Sequence, residues 1–215
     1  LGRLGGIKLI TVDGVSLEKL VLASCNRHKF EEFRQLLAPL HVELLFGGDY
    51  EHPLHVSETG KSFTENAALK AAAWAEYTGL PAISDDSGIE VRALNWQPGI
   101  YSSRVGGEDD EQCRQWLIRN MADKKDRYAR YAAALVLVFP DGKVHWQTLC
   151  YCSGSVIQEK RGSNGFGYDP LFIPEGYSQT FGELSPEIKS KLSHRAKASK
   201  AFIKMLREKI GAESA

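Results

Sequence analysis

Short apolar runs alternate with amphipathic helix patterns along most of this chain, and that alternation restricts its fold more than any other feature. Leu20-Val21-Leu22-Ala23 is an apolar run of strand length. After Ser24-Cys25-Asn26 the period changes. Phe30, Phe33, Leu36 and Leu37 recur at helical spacing, with Asn26 as N-cap and Pro39 as a stop. Residues 41–60 read as a strand followed by loops. Ser62-Phe63-Thr64-Glu65 has the spacing of a capping box, and the helix it opens carries Phe63, Ala67, Ala71 and Trp74 on one stripe before ending at Gly79. Pro81-Ala82-Ile83-Ser84 reads as a strand that runs into Asp85-Asp86-Ser87-Gly88, and Ile89-Glu90-Val91 resumes it. Cys113, Trp116, Leu117 and Met121 mark another amphipathic helix. Ala134 to Phe139 is a strong strand, Asp141-Gly142 is a hairpin signal, and Lys143 to Ile157 supplies one or two further strands. Ser163 to Pro170 is a glycine-rich loop. Ser185-Pro186 opens a helical region, and the last helix shows Ala198, Ala201, Phe202, Met205 and Leu206 on one face. Helices between strands, together with at least one hairpin, predict an α/β protein whose sheet is mixed rather than purely parallel.

Composition narrows the function. A chain of 215 residues with 43% apolar and 25% charged residues can bury a sizeable core in one domain. Lys plus Arg and Asp plus Glu each number 27, so the formal net charge is zero. General polyanion binders carry a basic excess, so a nucleic-acid partner is not expected, whereas a small local phosphate site remains open. No apolar run approaches the ~20 residues of a membrane span. Residues 1–16 do not show the signal-peptide pattern, since Thr11 and Asp13 interrupt their apolar stretch. Residues 1–18 are expected to be a leader without an assigned role, and 19–215 a single domain. The four cysteines, Cys25, Cys113, Cys150 and Cys152, lack zinc-ligand spacing and read as reduced thiols of a cytoplasmic protein.

Four patches carry candidate chemistry. Ser24 to Lys29 lies between a strand and a helix, where N–H groups at the helix start attract anions and Lys29 adds a full charge; it reads as a triphosphate seat or as an ordinary capped helix. It is not a P-loop, because the GxxxxGK[ST] pattern is absent. Glu58 and Lys70 form a carboxylate and an amine suited to a metal and to phosphate, or a surface Glu and a snorkelling Lys. Asp85 and Asp86 are adjacent acids at the expected end of a buried strand, a place that suits Mg²⁺ and also suits a plain acidic turn. Phe166, between Gly165 and Gly167, is presented by a loop with little steric cover, as a platform for a base or as a buried ring in a tight turn. Ser193-His194-Arg195 completes that patch, with His194 read as a nucleotide contact or as a satisfied surface histidine.

Together these segments make the chain resemble the inosine/xanthosine triphosphate pyrophosphatase family, the non-standard purine NTP pyrophosphatases. The elements fall in family order from about Val21 to Leu206: Ser24 to Lys29; Ser62-Phe63-Thr64-Glu65-Asn66-Ala67 with Lys70-Ala71; Ser84 to Gly88; Pro98-Gly99-Ile100-Tyr101-Ser102-Ser103-Arg104; Gly165 to Pro170; and Lys191 to Arg195. The resemblance implies an elongated mixed β-sheet flanked by helices, two lobes with a nucleotide cleft between them, and a homodimer. It also implies roles. Ser24, Cys25, Asn26, Arg27, His28 and Lys29 hold the triphosphate, Asn26 and Lys29 chief among them. Glu58 and Asp86 sit at Mg²⁺, Asp86 is also the general base, and Lys70 contacts phosphate. Ser87, Phe166, Gly167, Tyr168, Asp169, Lys189, His194 and Arg195 surround the rest of the nucleotide. Where the family usually has Thr-Gly or Thr-Thr, this chain has Ser24-Cys25, which keeps a hydroxyl.

The expected reaction is Mg²⁺-dependent hydrolysis of ITP, dITP and XTP to monophosphate and pyrophosphate, which cleanses the nucleotide pool. Attack at the α-phosphorus follows from the resemblance. The nearest alternative is a Maf-type pyrophosphatase acting on pyrimidine or modified nucleotides, against which the Gly-Phe-Gly-Tyr-Asp loop and the Ser-His-Arg triplet argue. A non-catalytic nucleotide sensor is the alternative from another class, and it has no need of Glu58, Lys70 and Asp86 together.

Overall fold

The computed structural model of the chain describes residues 11–12, 14–40, 42–107 and 109–212. Residues 1–10 of the expected leader lie outside the described residues. Thr11–Val12 (β1) and Val15–Ser16 (β2) pair antiparallel, with Thr11 opposite Ser16.

The main sheet has six strands: β3 (Lys19–Leu22), β4 (Glu43–Phe46), β5 (Ala82–Val91), β6 (Tyr128–Val138), β7 (Val144–Val156) and β8 (Phe172–Pro174), in the order β4-β3-β5-β6-β7-β8. β3 lies parallel to β4 and to β5, with Leu22 opposite Phe46 and Ile83, whereas β8 is antiparallel to β7, with Phe172 opposite Val156. The sheet is therefore mixed, as the alternation of elements predicts. Helices α1 (Arg27–Leu37), α2 (Phe63–Thr78), α3 (Asp110–Asn120), α4 (Pro186–Leu192) and α5 (His194–Ala212) complete the fold.

Helix boundaries follow local chemistry. The Asn26 side chain accepts from the Lys29 N–H and starts α1. Ser62 accepts from the Glu65 N–H and starts α2, while Gly79 ends it in the left-handed conformation at φ 65°. The other arm of the capping box departs from the usual pattern, since Glu65 accepts from the Lys61 N–H rather than from Ser62. The helical region opened by Ser185-Pro186 is two helices. Ser193 is extended between them, and its Oγ accepts from the Ala196 N–H at 3.1 Å to begin α5.

The chain forms two compact units. The first takes in the described residues up to Asp85, Ala134–Thr148 and those from Ala198 onward; the second takes in Asp86–Ala133 and Leu149–Lys197. In the first, Leu20, Val21 and Leu22 of β3, Phe33 of α1, Ala67, Ala71 and Trp74 of α2, and Phe202 and Leu206 of α5 are all buried. These include the apolar faces predicted for α1, α2 and α5. Burial of each large side chain contributes about 1.5–3 kcal/mol. In the second unit Ile89, Val91, Cys113, Leu117, Met121, Tyr131, Phe172 and Phe181 belong to one apolar cluster.

One expectation needs correction. Asp85 and Asp86 do not follow a strand that stops and resumes, because β5 runs unbroken from Ala82 to Val91 with both acids inside it. Of the one or two strands expected over Lys143 to Ile157, the chain forms one, Val144–Val156. Another strand, β8, escaped prediction because three residues carry no readable period.

Gly88, in the middle of β5, shows why the strand passes this point without a side chain. A Cβ there would lie 2.3 Å from Ser102 Oγ and 2.5 Å from the Gly99 carbonyl oxygen. Ser102 Oγ is itself committed, accepting from the Ile89 N–H at 2.9 Å and donating to the Gly99 carbonyl at 2.6 Å. Gly88→Ala is therefore expected to destabilise the protein by about 1–3 kcal/mol, read as a lower urea midpoint at unchanged m-value.

Candidate active site

The first unit gathers one set of predicted residues. β3 delivers the chain to Ser24, whose Oγ accepts from the Asn26 N–H at 3.1 Å, and Asn26 caps α1. These bonds make a tight strand-to-helix turn. Three residues on, Lys29 reaches Asp85: Nζ lies 2.8 Å from Oδ2, and the carboxylate side chain is 0% exposed. The same ammonium donates to the Asp85 main-chain carbonyl at 3.3 Å. Lys70, from the third turn of α2, donates to that carbonyl at 3.4 Å and to Glu58 Oε1 at 2.7 Å. Two ammonium groups thus converge on one peptide oxygen, with two carboxylates beside them.

Other members of the Ser24–Lys29 segment are placed differently. Arg27 pairs with Asp49 and lies 4.2 Å from the Phe46 ring centroid. Cys25 is exposed, its thiol 3.9 Å from the Leu54 carbonyl oxygen, and His28 is exposed.

The second unit gathers another set, organised by Asp169, which is 2% exposed. Its Oδ2 accepts from the Phe166 N–H at 2.9 Å and from Lys189 Nζ at 2.7 Å, while Oδ1 accepts from the Tyr131 hydroxyl at 3.3 Å. Lys189 Nζ lies 4.9 Å from the centre of the Phe166 ring, and the Arg195 guanidinium carbon 5.6 Å from it. Arg195 also donates to Ser87 Oγ at 3.0 Å. His194 is buried and stacks on Tyr131, with ring centroids 4.6 Å apart and planes 7° from parallel. A half-buried aromatic ring flanked by two cations is thus assembled in this unit. The hydroxyl of Tyr168, which is buried, donates to the Ser102 carbonyl at 2.7 Å.

Sequence reasoning missed Tyr131. It is the one hydroxyl-bearing side chain in the buried run Tyr131-Ala132-Ala133-Ala134 of β6, and a buried phenol needs a partner. Burial and the Asp169 charge push its phenol well above the ordinary range, so it stays protonated as a donor. Asp85 was expected to matter less than its neighbour. Alternation along β5 sends the two acids to opposite faces of the strand, and Asp85 takes the Lys29 pair while Asp86, also buried, projects the other way.

Among the described residues no group of three or more His, Cys, Asp or Glu side chains is arranged to hold a metal by itself. Glu58 and Asp86 nevertheless offer carboxylate oxygens, the donor type Mg²⁺ prefers, and Mg²⁺ commonly takes only one or two such ligands plus water and substrate phosphate.

The sequence model of the Ham1 family matches residues 20–205. This chain belongs to the Ham1 family. Among its relatives are proteins named dITP/XTP pyrophosphatase from Gluconobacter oxydans, 43% identical over 187 residues that cover 86% of this chain and 89% of that one, and from Streptomyces coelicolor, 42% identical over 204 residues that cover 91% and 100%. Among solved structures, a HAM1 protein from Coxiella burnetii superposes with a TM-score of 0.78 at 36% identity, covering 88% of this chain and 98% of that one. The Staphylococcus aureus Ham1 protein gives 0.79 at 34% identity, with the same coverage. The family resemblance and the α/β fold expected from the ordered motifs are both borne out.

Within this Ham1 fold the Lys29–Asp85 pair is open to a direct test. Lys29→Met leaves a fully buried carboxylate without that ammonium, at an expected cost of about 3 kcal/mol. Adding Asp85→Asn is expected to return part of the loss, and urea unfolding of the single and double variants measures the coupling. Additive losses would mean that the pair contributes nothing.

Proposed function

We propose that this chain hydrolyses ITP, dITP and XTP to the nucleoside monophosphate and pyrophosphate, with Mg²⁺ as cofactor. It is a nucleoside triphosphate pyrophosphatase, a hydrolase acting on acid anhydrides. The observation that carries the reading is the convergence of Lys29 and Lys70 on the Asp85 carbonyl, with Glu58 beside Lys70. Two partly buried ammonium groups fixed in place, next to a carboxylate, suit a polyphosphate rather than a neutral substrate.

Each residue then has a definite task. Lys29 and Lys70 bind phosphate oxygens and offset charge on the departing pyrophosphate. The N–H groups at the start of α1 add favourable dipoles. Glu58 and Asp86 hold Mg²⁺, which when bound neutralises triphosphate charge. Asp86 orients the attacking water and accepts its proton on a carboxylate oxygen, and the water oxygen attacks the α-phosphorus. Phosphoryl transfer rests mainly on such positioning and charge neutralisation.

Phe166 stacks on the purine, while Lys189, His194 and Arg195 supply donors to it. Hypoxanthine and xanthine carry a 6-oxo acceptor where adenine carries an amino donor. A site that offers donors at that position leaves adenine mismatched, and polar mismatch of this kind gives discrimination of ~10⁴-fold. The protein is proposed to work as a homodimer in the cytoplasm, on the family resemblance, and light scattering should give about twice the 23.9 kDa chain mass.

The decisive measurement is a nucleotide panel with Mg²⁺ in which pyrophosphate and phosphate are measured separately. ITP, dITP and XTP are expected to release pyrophosphate, with phosphate appearing only after an inorganic pyrophosphatase is added. Direct phosphate release with a diphosphate product would overturn attack at the α-phosphorus, and intact nucleotide would point to a sensor.

Asp86→Asn keeps the size of the side chain but removes its charge and basic oxygen. Turnover should fall ~10²–10⁴-fold while ITP binding by calorimetry is retained. Asp85→Asn should retain more activity. The opposite order of the two variants would move the base to Asp85.

A further inference from the structure

The loop that presents Phe166 is held from outside as well as from within. Gly165 and Gly167 both have left-handed backbone, at φ 74° and 61°. Such glycines lose much conformational freedom when ordered, so a fixed loop geometry requires external fastening. Asp169 provides the inner fastening by accepting from the Phe166 N–H. The outer one comes from α3. Asp110 Oδ2 accepts from the Gly167 N–H at 2.6 Å, and Arg114 Nη1 donates to the Gly167 carbonyl at 2.6 Å.

These two residues are one helical turn apart and so lie on the same face of α3. Both polar groups of Gly167 are therefore gripped by one rigid element. Nothing lies within 4 Å of where a Gly167 Cβ would be, so the glycine serves backbone conformation rather than space.

The grip is itself braced. Asp109 caps α3 by accepting from the Gln112 N–H, which fixes the turn that carries Asp110. Arg114 is only 16% exposed, and its Nε and Nη2 both donate to Glu111 Oε2, at 3.2 and 3.1 Å. Glu111 also accepts from Gln115 at 2.9 Å and from Lys160 at 2.8 Å. Those donors, Gln115 first, then Lys160 and Arg114, hold its carboxyl down at about 2, so it stays ionised at neutral pH. A guanidinium fixed along one edge by a carboxylate has little freedom in where its remaining nitrogen points.

We propose that Asp110 and Arg114 are positioning residues for base recognition, clamping the Gly167 peptide groups so that the Phe166 ring is held ready for the purine. The inference rests on the reading of Phe166 as the base platform. With the peptides on either side of Phe166 anchored, only its side-chain torsions remain to be fixed. Without the α3 clamp the ring samples other directions, and ordering it is charged against nucleotide binding. The chemical step, which depends on Asp86, Lys29 and Lys70, is not affected. A merely structural fastening would lower stability and leave the Michaelis constant alone.

The test is steady-state kinetics on ITP with Arg114→Ala, Phe166→Ala and the double variant, with circular-dichroism melting to monitor folding. Arg114→Ala is expected to raise KM about tenfold, the scale of one lost charge-assisted hydrogen bond, with kcat within about twofold. Arg114→Lys, which keeps a charged donor, should restore most of the affinity. In the Phe166→Ala background Arg114→Ala should add less than about twofold, because a missing ring needs no positioning. Asp110→Asn gives the same reading at smaller amplitude and serves if Arg114→Ala does not fold. If Phe166→Ala raises KM but Arg114→Ala leaves it unchanged, or multiplies fully with it, the positioning role is wrong and the base platform stands. If Phe166→Ala leaves KM unchanged, the base platform fails and the inference fails with it.

Discussion

A carboxylate removed from water must be surrounded by cations and hydrogen-bond donors, and each compact unit of this protein is arranged around one. Asp85 is fully buried as a side chain and is held by Lys29. Asp169 is buried to a similar degree and gathers the Lys189 ammonium, the Tyr131 hydroxyl and the Phe166 N–H. A buried ion with imperfect partners costs several kcal/mol, so these contacts leave little latitude in where the surrounding groups sit. The positions of the candidate phosphate-binding and base-binding side chains follow from that requirement.

Such an arrangement suits binding of a charged nucleotide. Lys29 and Lys70 are fixed by carboxylates and by a shared peptide oxygen, yet their side chains remain 15% and 14% exposed. Cations held this way need little reorganisation when phosphate oxygens arrive, which is where preorganised sites gain over water. Phe166 presents the same economy in another form. Its ring is half-buried, with cations at 4.9 and 5.6 Å, and its backbone is tied on both sides. Rigidity is supplied by the buried polar network, while the groups meant for the ligand keep one side accessible.

β5 connects these demands within the chain. Two acids in succession inside a strand look unfavourable until the alternation of side chains is considered, because each acid then meets a different environment. One is spent on holding Lys29, which leaves its neighbour on the other face for separate work. The same strand carries Ser87, the acceptor for Arg195, and Gly88, where close approach of Ser102 and Gly99 leaves no room for a methyl group. Several consecutive residues thus serve different neighbours, and substitutions here are expected to have distinct signatures.

Local chemistry was legible in the sequence. Asn26 and Ser62 as caps, Gly79 as a helix end, the apolar stripe from Phe63 to Trp74 and the mixed character of the sheet all follow from spacing and residue type, because caps and periods depend on neighbours within a few positions. The ordered motifs also carried the family. What spacing does not encode is which distant side chains meet. That β5 continues through Asp85 and Asp86, that Lys29 and Lys70 share the Asp85 carbonyl, that Tyr131 reaches Asp169 and that Arg114 grips Gly167 were decided by the tertiary structure. Each joins residues between 15 and 56 positions apart along the chain, or rests on ladder bonds to other strands. Only folding sets those separations, through the burial of charge and the pairing of backbone groups far apart in sequence.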